Sequence, residues 1–241
     1  MSTTAKNGLV AVHQPTFLPW LGFFHKLLQS DVFIILDDAQ IQKTGSSWVN
    51  RTQILAAGKP RWLTIPVNRV SGVQQIRLTS IPEGGDWCKS HRNLLHEAYR
   101  QAPYYMALSD FLDELYENAG NSLLEFNLSA IRAILDLLGL SDARKLVMAS
   151  SLAVDLQGTN RLIELVKRVG GDSYLCGSGS AGYLEPRVFE EESVKLVWQK
   201  FAEVNRNQLG TATFVAGLSI IDALLTLGPV KTGGLLENSS V

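Results

Sequence analysis

The sequence predicts an α/β fold: a mainly parallel sheet with flanking helices and a helical cap. Three observations predict it. Short apolar runs alternate with helically spaced segments along most of the chain, the pattern of successive βαβ units. Residues 8–36 read strand, helix, strand with little connecting chain, which makes a parallel pair the default. Asp86 to Gly139 is helical with punctuation and carries no strand pattern, so it is expected to cap the sheet. A chain of 241 residues is of a size for one domain, 1–241, with the cap as a sub-region.

The elements follow in order. Residues 8–13 form an apolar run that reads as a buried strand. Trp20, Phe23, Phe24, Leu27 and Leu28 have helical spacing, and Pro19 stands where a first-turn proline is tolerated. Asp31 to Leu36 (DVFIIL) is the second strand. Residues 51–57 and 61–67 are strands hinged by Gly58-Lys59-Pro60, a hairpin pattern. Val73 to Leu78 reads as one more strand. In the cap, Asp86 and Ser109 are expected N-caps, Asn121-Ser122 opens a third helix, and Gly139 ends it. Lys145–Met148, Ser173–Cys176 and Val194–Trp198 are strand-like. Thr159–Val169 and Leu218–Leu227 are helical, and a polar, mobile tail is expected over 231–241.

Composition narrows the function classes. Lys and Arg number 22 against 23 Asp and Glu, a net charge of −1, which argues against nucleic-acid binding driven by charge. No apolar run reaches the roughly 20 residues of a membrane span. The first residues lack the apolar core of a signal peptide, so a cytoplasmic location is expected. Cys88 and Cys176 are then expected to stay reduced.

The chemistry-bearing residues gather at the ends of the first two strands. His13-Gln14-Pro15 follows strand one, and Asp37-Asp38 follows strand two. Gln40, Lys43, Trp48, Asn50 and Arg51 come next. In open α/β sheets the carboxyl ends of strands face the ligand crevice, so this edge is read as the active site. His13 is the candidate base, with a loop-bonding histidine as the structural alternative. Gln14 can anchor an amide or carboxylate. Asp37 and Asp38 point to opposite faces if the strand continues, so one of them, Asp38, is the candidate acid or base. A crowded pair would suit Mg²⁺, whereas a single aspartate capping the strand end is the plain alternative. Lys43 and Arg51 suit a phosphate or carboxylate, Trp48 a sugar or base, and Asn50 polar recognition. Gly177-Ser178-Gly179 is a glycine-rich turn that brings backbone amides close to a substrate. Cys176 is a candidate nucleophile or a small buried residue. Cys88 and His91 share a helix face but lack the third ligand a zinc site needs, so no metal site is assigned. His25 reads as a helix-surface residue. Asp222 is out of place in an apolar helix unless it orients the site.

The run HQPTFLPWLGFFHKLLQSDVFIILDDAQIQKTGSSWVNR, from His13 to Arg51, resembles the signature of the WbqC-like proteins. The likeness continues at Trp62 to Val67, at Trp87 with His91, and at Ser150-Ser151-Leu152. It continues further at Tyr174 to Gly177 with Gly179, and at Leu218 to Asp222 with Gly228-Pro229. The resemblance implies a bacterial biosynthetic protein, of surface polysaccharide or secondary metabolites. It also implies acyl or aminoacyl transfer to amino sugars. It implies site roles for His91 and Gln208, and it sets Cys176 where related sequences usually carry serine.

Three functions follow as expectations. The first is an acyl or aminoacyl transferase acting on an amino-sugar nucleotide or a carrier-bound metabolite, with His13 as base and no cofactor demanded. The second is an ATP- and Mg²⁺-using adenylyl or nucleotidyl enzyme with an HxGH-like site. The third is a non-enzymatic binding or assembly factor. The expected partner is a small-molecule or carrier-protein-bound substrate, and the sequence leaves the oligomeric state open.

Overall fold

The strand Leu9–His13 (β1) is the centre of the molecule. A computed structural model describes residues 8–42, 47–83, 85–141, 146–177, 179, 182 and 184–237. Helix α1 (Leu21–Gln29) connects β1 to β2 (Val32–Ile35), and the two strands pair parallel from Val10↔Val32 to His13↔Ile35. On its other side β1 pairs parallel with β6 (Ser173–Cys176). With β5 (Leu146–Met148) and β7 (Lys195–Trp198) the sheet order is β5-β2-β1-β6-β7, all parallel. Arg51–Ala56 (β3) and Lys59–Thr64 (β4) stand apart as an antiparallel hairpin.

Successive strand residues face opposite sides of a sheet, and here both sides are apolar. Val10, Val12, Ile34, Tyr174 and Cys176 face helices α5 (Gly158–Arg168) and α6 (Pro186–Glu191), which contribute Ile163, Val166 and Phe189. Ala11, Phe33, Ile35 and Leu175 face α1, whose Phe23, Phe24 and Leu27 share a core with Ile54 and Leu63 of the hairpin. Full burial of such a side chain stabilises by about 1.5–3 kcal/mol. Helices therefore cover both faces, as continuous apolar strands require.

The expected hairpin forms, but it turns at Ala57-Gly58 rather than at Gly58-Lys59-Pro60, since Lys59 and Pro60 pair with Ala56 and Leu55 as part of β4. Its turn residues Ala57 and Gly58 both have positive φ, 50° and 71°, the geometry of a two-residue hairpin loop. Gly58 is also needed for space, because a Cβ there would lie 2.3 Å from the Gly210 carbonyl oxygen. The cap contains α2 (Asp86–Tyr99), α3 (Ser109–Glu117) and α4 (Leu123–Leu137). Ser122 caps α4 by accepting from the Glu125 amide, and Gly139 follows it with φ 70°. Asn127 ties α4 to the segments leaving β1 and entering β3, donating to the carbonyls of Pro15 at 2.8 Å and Val49 at 2.7 Å. Among the described residues, no helix is long and apolar enough to cross a membrane.

Three expectations are corrected. Asp86 and Ser109 lie inside the first turns of α2 and α3 rather than at their N-caps, and Gly85 holds the N-cap of α2. Val73–Leu78 is not a strand. It contains a short 3₁₀ turn, Ile76–Leu78, whose amides are taken by the exit loop of β2: Ile76 donates to the Ala39 carbonyl and Arg77 to that of Asp37. The polar composition after Lys231 also misleads. Ile220–Leu227 (α7) is followed at once by α8 (Pro229–Glu237), which buries Thr232 and Leu236 and packs on α1 and α7. Substituting Leu236→Ala should therefore cost about 2–3 kcal/mol in urea unfolding, where a mobile tail would lose almost nothing.

Candidate functional site

Counted along the chain, the five strands lie in the order third, second, first, fourth, fifth. The order reverses between β1 and β6. At that switch the connections leave for opposite faces, since α1 belongs to one core and α6 to the other. A crevice must open between the carboxyl ends of β1 and β6. A hollow of about 580 Å³ lies there, with His13, Gln14, Lys26, Arg161, Gly177, Gly179 and Gln199 on its walls. A second hollow of about 550 Å³ adjoins it, lined by Trp48, Thr52, Gln53 and Gly217 among others. The two share one wall, made of His13, Gln14 and Trp20.

His13 is held from several sides. Its ring meets the edge of Phe23 at 5.1 Å and stacks near Phe33 at 6.5 Å. Nδ1 lies 2.9 Å from the Gln14 carbonyl, an acceptor, so Nδ1 carries the proton. Burial, then the neighbouring Lys26 charge, lowers its pKa from 6.5 to about 4, against a smaller opposing effect of the Gln14 carbonyl. The imidazole is thus neutral at physiological pH, with its lone pair on Nε2. Trp20 covers this wall because Gly22 lacks a side chain: a Cβ there would sit 2.3 Å from two indole carbons. The indole edge also meets Phe201 at 5.5 Å.

Lys26 is the residue that pattern reading missed. It is 4% exposed, and Nζ donates to the Val12 carbonyl at 3.0 Å. Burial lowers its pKa from 10.5 to about 8. The ammonium lies 5.8 Å from the Tyr174 ring centroid, and among the described residues no carboxylate pairs with it. The signal was the helix itself: Leu21 through Leu27 are all buried, so a lysine within that run had to be buried too. Arg161 was missed as well. Its place on α5 reads as a solvated charge until the helix start is set at the crevice.

The expected site residues divide. Asp38 is brought to the site as the partner of Arg161, with Nη2 2.6 Å from Oδ1. Asp37 caps instead: it is buried and accepts from the Ser150 amide at 2.9 Å and hydroxyl at 2.5 Å, at the end of β5. The two carboxylates thus diverge, but in the turn beyond β2, where strand alternation no longer applies, and among the described residues no three His, Cys, Asp or Glu side chains gather as metal ligands. Trp48 lines the second hollow and packs on Trp62 at 5.2 Å. Arg51 lies over Trp62 at 4.2 Å, on the hairpin side. Asn50 is buried and donates to the Ile65 carbonyl at 3.0 Å, a hairpin staple. Gln40 is exposed and bridges to Gln75. Lys43 and Ser178 lie outside the described residues.

His91 lines neither hollow, and Cys176 is the small buried residue at the end of β6, the second of its two readings. His91 is buried in an aromatic cluster with Phe17, Trp87 and Tyr116. Its Nε2 donates to the Thr64 carbonyl at 3.1 Å and its Nδ1 accepts from the Tyr116 hydroxyl at 3.3 Å, leaving no ring nitrogen for a substrate. Burial lowers its pKa to about 4. The Cys176 thiol donates to the Val197 carbonyl at 3.3 Å, and burial raises its pKa to about 11, so it is a thiol rather than a thiolate. His25, expected at the surface, is buried against Phe201 and Gln199.

Asp222 and Gln208 organise the wall rather than touch the hollow. Asp222 is fully buried and accepts from Tyr99 at 3.1 Å, Arg206 at 3.0 Å and Gln208 at 3.1 Å. Gln208 also exchanges bonds with the Val215 backbone, and Glu203 accepts from the Gly217 amide at 2.8 Å and pairs with Arg206. This network fixes the segment from Phe201 to Gly217, which lines both hollows.

Against known proteins, the model of the WbqC-like protein family matches residues 14–233. The chain is 32% identical over 224 residues to the uncharacterized protein Rv1507c of Mycobacterium tuberculosis, covering 91% of this chain and 94% of that one. No solved structure matches significantly.

Two outcomes are expected. Substituting Asp222→Asn removes one of the two carboxylates that pair with the buried Arg206 and leaves Glu203 as its remaining counter-ion. It should cost about 3 kcal/mol, and hydrogen exchange at the Val215 and Gly217 amides should quicken. The two buried histidines should also make stability depend on pH. Their folded pKa of about 4 lies below the unfolded 6.5, so the unfolded chain binds more protons between those values. Stability is then complete above pH 6.5 and falls as the pH drops towards 4. Urea titrations at pH 7.5 and 4.5 should show His91→Gln narrowing that gap, by on the order of 2 kcal/mol.

Proposed function

The chain belongs to the WbqC-like protein family, and from that membership and the two joined hollows we propose that it is a biosynthetic acyl or aminoacyl transferase. The acceptor is an amine on a sugar nucleotide or a carrier-bound metabolite. One observation carries the reading: the hollows meet at a shared wall of His13, Gln14 and Trp20. A transferase must bring a donor and an acceptor to one reacting point, and this wall is where two ligands would touch.

The residues fit the steps. The acceptor nitrogen bonds to the acyl carbon, and the bond to the leaving thiol or phosphate breaks. The amine proton passes to Nε2 of His13 and then to the leaving group. The neutral tautomer fixed by the Gln14 carbonyl suits that exchange. Backbone amides at Gly177 and Gly179, on the wall of the first hollow, suit the developing oxyanion. Gln14 suits an amide or carboxylate of either ligand. The step consumes no redox cofactor, and the Cys176 thiol takes no part in it.

A second reading has its own support. The reversal of strand order beside β1, with a histidine at that strand's end, also suits a nucleotide whose α-phosphate is attacked by an acid. The two are separated by products. The protein is incubated with acyl thioesters and amino-sugar nucleotides, and the mixture is analysed by mass for a new amide. In parallel, it is incubated with ATP, Mg²⁺ and carboxylic acids, and pyrophosphate is measured. Amide formation that falls about 10²–10⁴-fold in His13→Gln is the expected result. Pyrophosphate release without ATP-independent amide formation would replace the transferase by the adenylyl enzyme.

A further inference from the structure

We propose that Lys26 and Arg161 form an anion-binding centre in the first hollow, made for the phosphate or diphosphate of the substrate. The inference rests on the transferase reading and deepens it, by assigning the charged part of a substrate to the sheet's switch point rather than to the loop after β2.

The argument starts from cost. A buried ammonium gives up several kcal/mol of hydration. Lys26 recovers one hydrogen bond, to the Val12 carbonyl, and among the described residues no carboxylate offsets its charge. An apolar side chain of the same length would pack there without that cost. Lys26 nevertheless lines a hollow, where a ligand can supply the missing negative charge.

The surroundings leave that charge in place. His13, the nearest titratable group on β1, is neutral and adds nothing to oppose it. Cys176 on β6 stays a thiol. Arg161 lines the same hollow; its Nη2 is engaged by Asp38, while its buried Nε has no partner among the described residues. The glycines on the same wall leave space: among the described residues, a Cβ on Gly179 would meet nothing within 4 Å, and one on Gly177 would meet just the Gln199 side-chain oxygen at 3.7 Å. The first turn of α5, whose Gly158 lines the hollow, carries no acidic residue. Two cations for one ligand group suit a dianion better than a carboxylate. Trp20 and Phe201 on the adjoining wall suit the flat remainder of a nucleotide.

Calorimetric titration of the full chain tests this with four probes: inorganic pyrophosphate, UDP, ADP and a phosphopantetheine-bearing coenzyme. Pyrophosphate should bind the wild type at pH 7. Affinity should fall ten-fold or more in Lys26→Met and in Arg161→Met, and be largely kept in Lys26→Arg. UDP or ADP binding more tightly than the coenzyme identifies a nucleotide as the source, and the reverse identifies a carrier. Thermal unfolding separates binding from structure. Lys26→Met should keep or raise the melting temperature without ligand, since it removes a buried charge; a structural lysine would lower it. As pH rises past about 8, wild-type affinity should fall while that of Lys26→Arg holds. His13 and Cys176 titrate outside that window, near 4 and 11, and so do not produce the change.

Pyrophosphate that fails to bind the wild type, or binds Lys26→Met equally well, overturns the proposal. Should Lys26→Met fail to fold, unchanged binding by Arg161→Met overturns it. Because these titrations contain no acceptor, their result stands apart from the transferase assay. Lys26-dependent binding without any amide product would sink the transferase and leave the anion centre. Amide formation unaffected by Lys26→Met would do the opposite.

Discussion

Everything at the crevice depends on β1 being paired in parallel on both sides. That pairing leaves no sheet edge along β1 and buries Val10, Ala11 and Val12 almost completely. It also fixes direction. All five strands end on one side of the molecule, and the connections after β1 and β6 diverge to opposite faces. The gap between those connections follows from the order of the strands and needs no special side chain. The side chains decide only what the gap can hold.

What it holds is an unusual distribution of charge. A neutral imidazole and a buried ammonium stand close enough for the lysine to depress the histidine's pKa. Asp38, drawn towards the hollow, is already taken by Arg161. The hollow is therefore positive overall, with a proton acceptor beside the positive groups. Such an arrangement lowers the stability of the empty protein, as buried uncompensated charge must, and it is the kind of local conflict that folds keep at working sites.

Much of this was legible in the residues. The alternation of short apolar runs with helical spacing gave the sheet, and the position of His13 after the first run put it at the crevice. Asp37 and Asp38 do separate, the first to Ser150 and the second to Arg161, but they do so in the turn beyond β2 and not by alternation along a strand. Other parts required tertiary contacts. Gln75 and Ile76 look strand-like, yet their partners lie in a loop rather than a strand. Residues 231–237 read as a mobile tail, yet they belong to a helix, with Thr232 and Leu236 buried where α8 packs on α1 and α7. His91 carries a specific likeness, but the likeness belongs to an aromatic core. A histidine with both nitrogens bonded inside the protein gives the same sequence signal as one facing a substrate.

The far end of the chain completes the site that its beginning starts. Ser219 bridges to Trp20, and the Ile220 amide donates to the Pro19 carbonyl, so α7 begins against the segment that leads from β1 into α1. From α7, Asp222 reaches Tyr99 on α2 and Arg206 and Gln208 on the wall segment, joining cap, hairpin and wall through one carboxylate. Tyr99 in turn accepts from the Leu55 amide of β3. A buried acid with so many partners is costly to desolvate, and a purely apolar α7 would pack more simply. What the carboxylate adds is position. It fixes the segment that sets Phe201 against Trp20 and Gly217 on the wall of the second hollow. The wall at which two ligands would meet is thus held by a residue that touches neither of them.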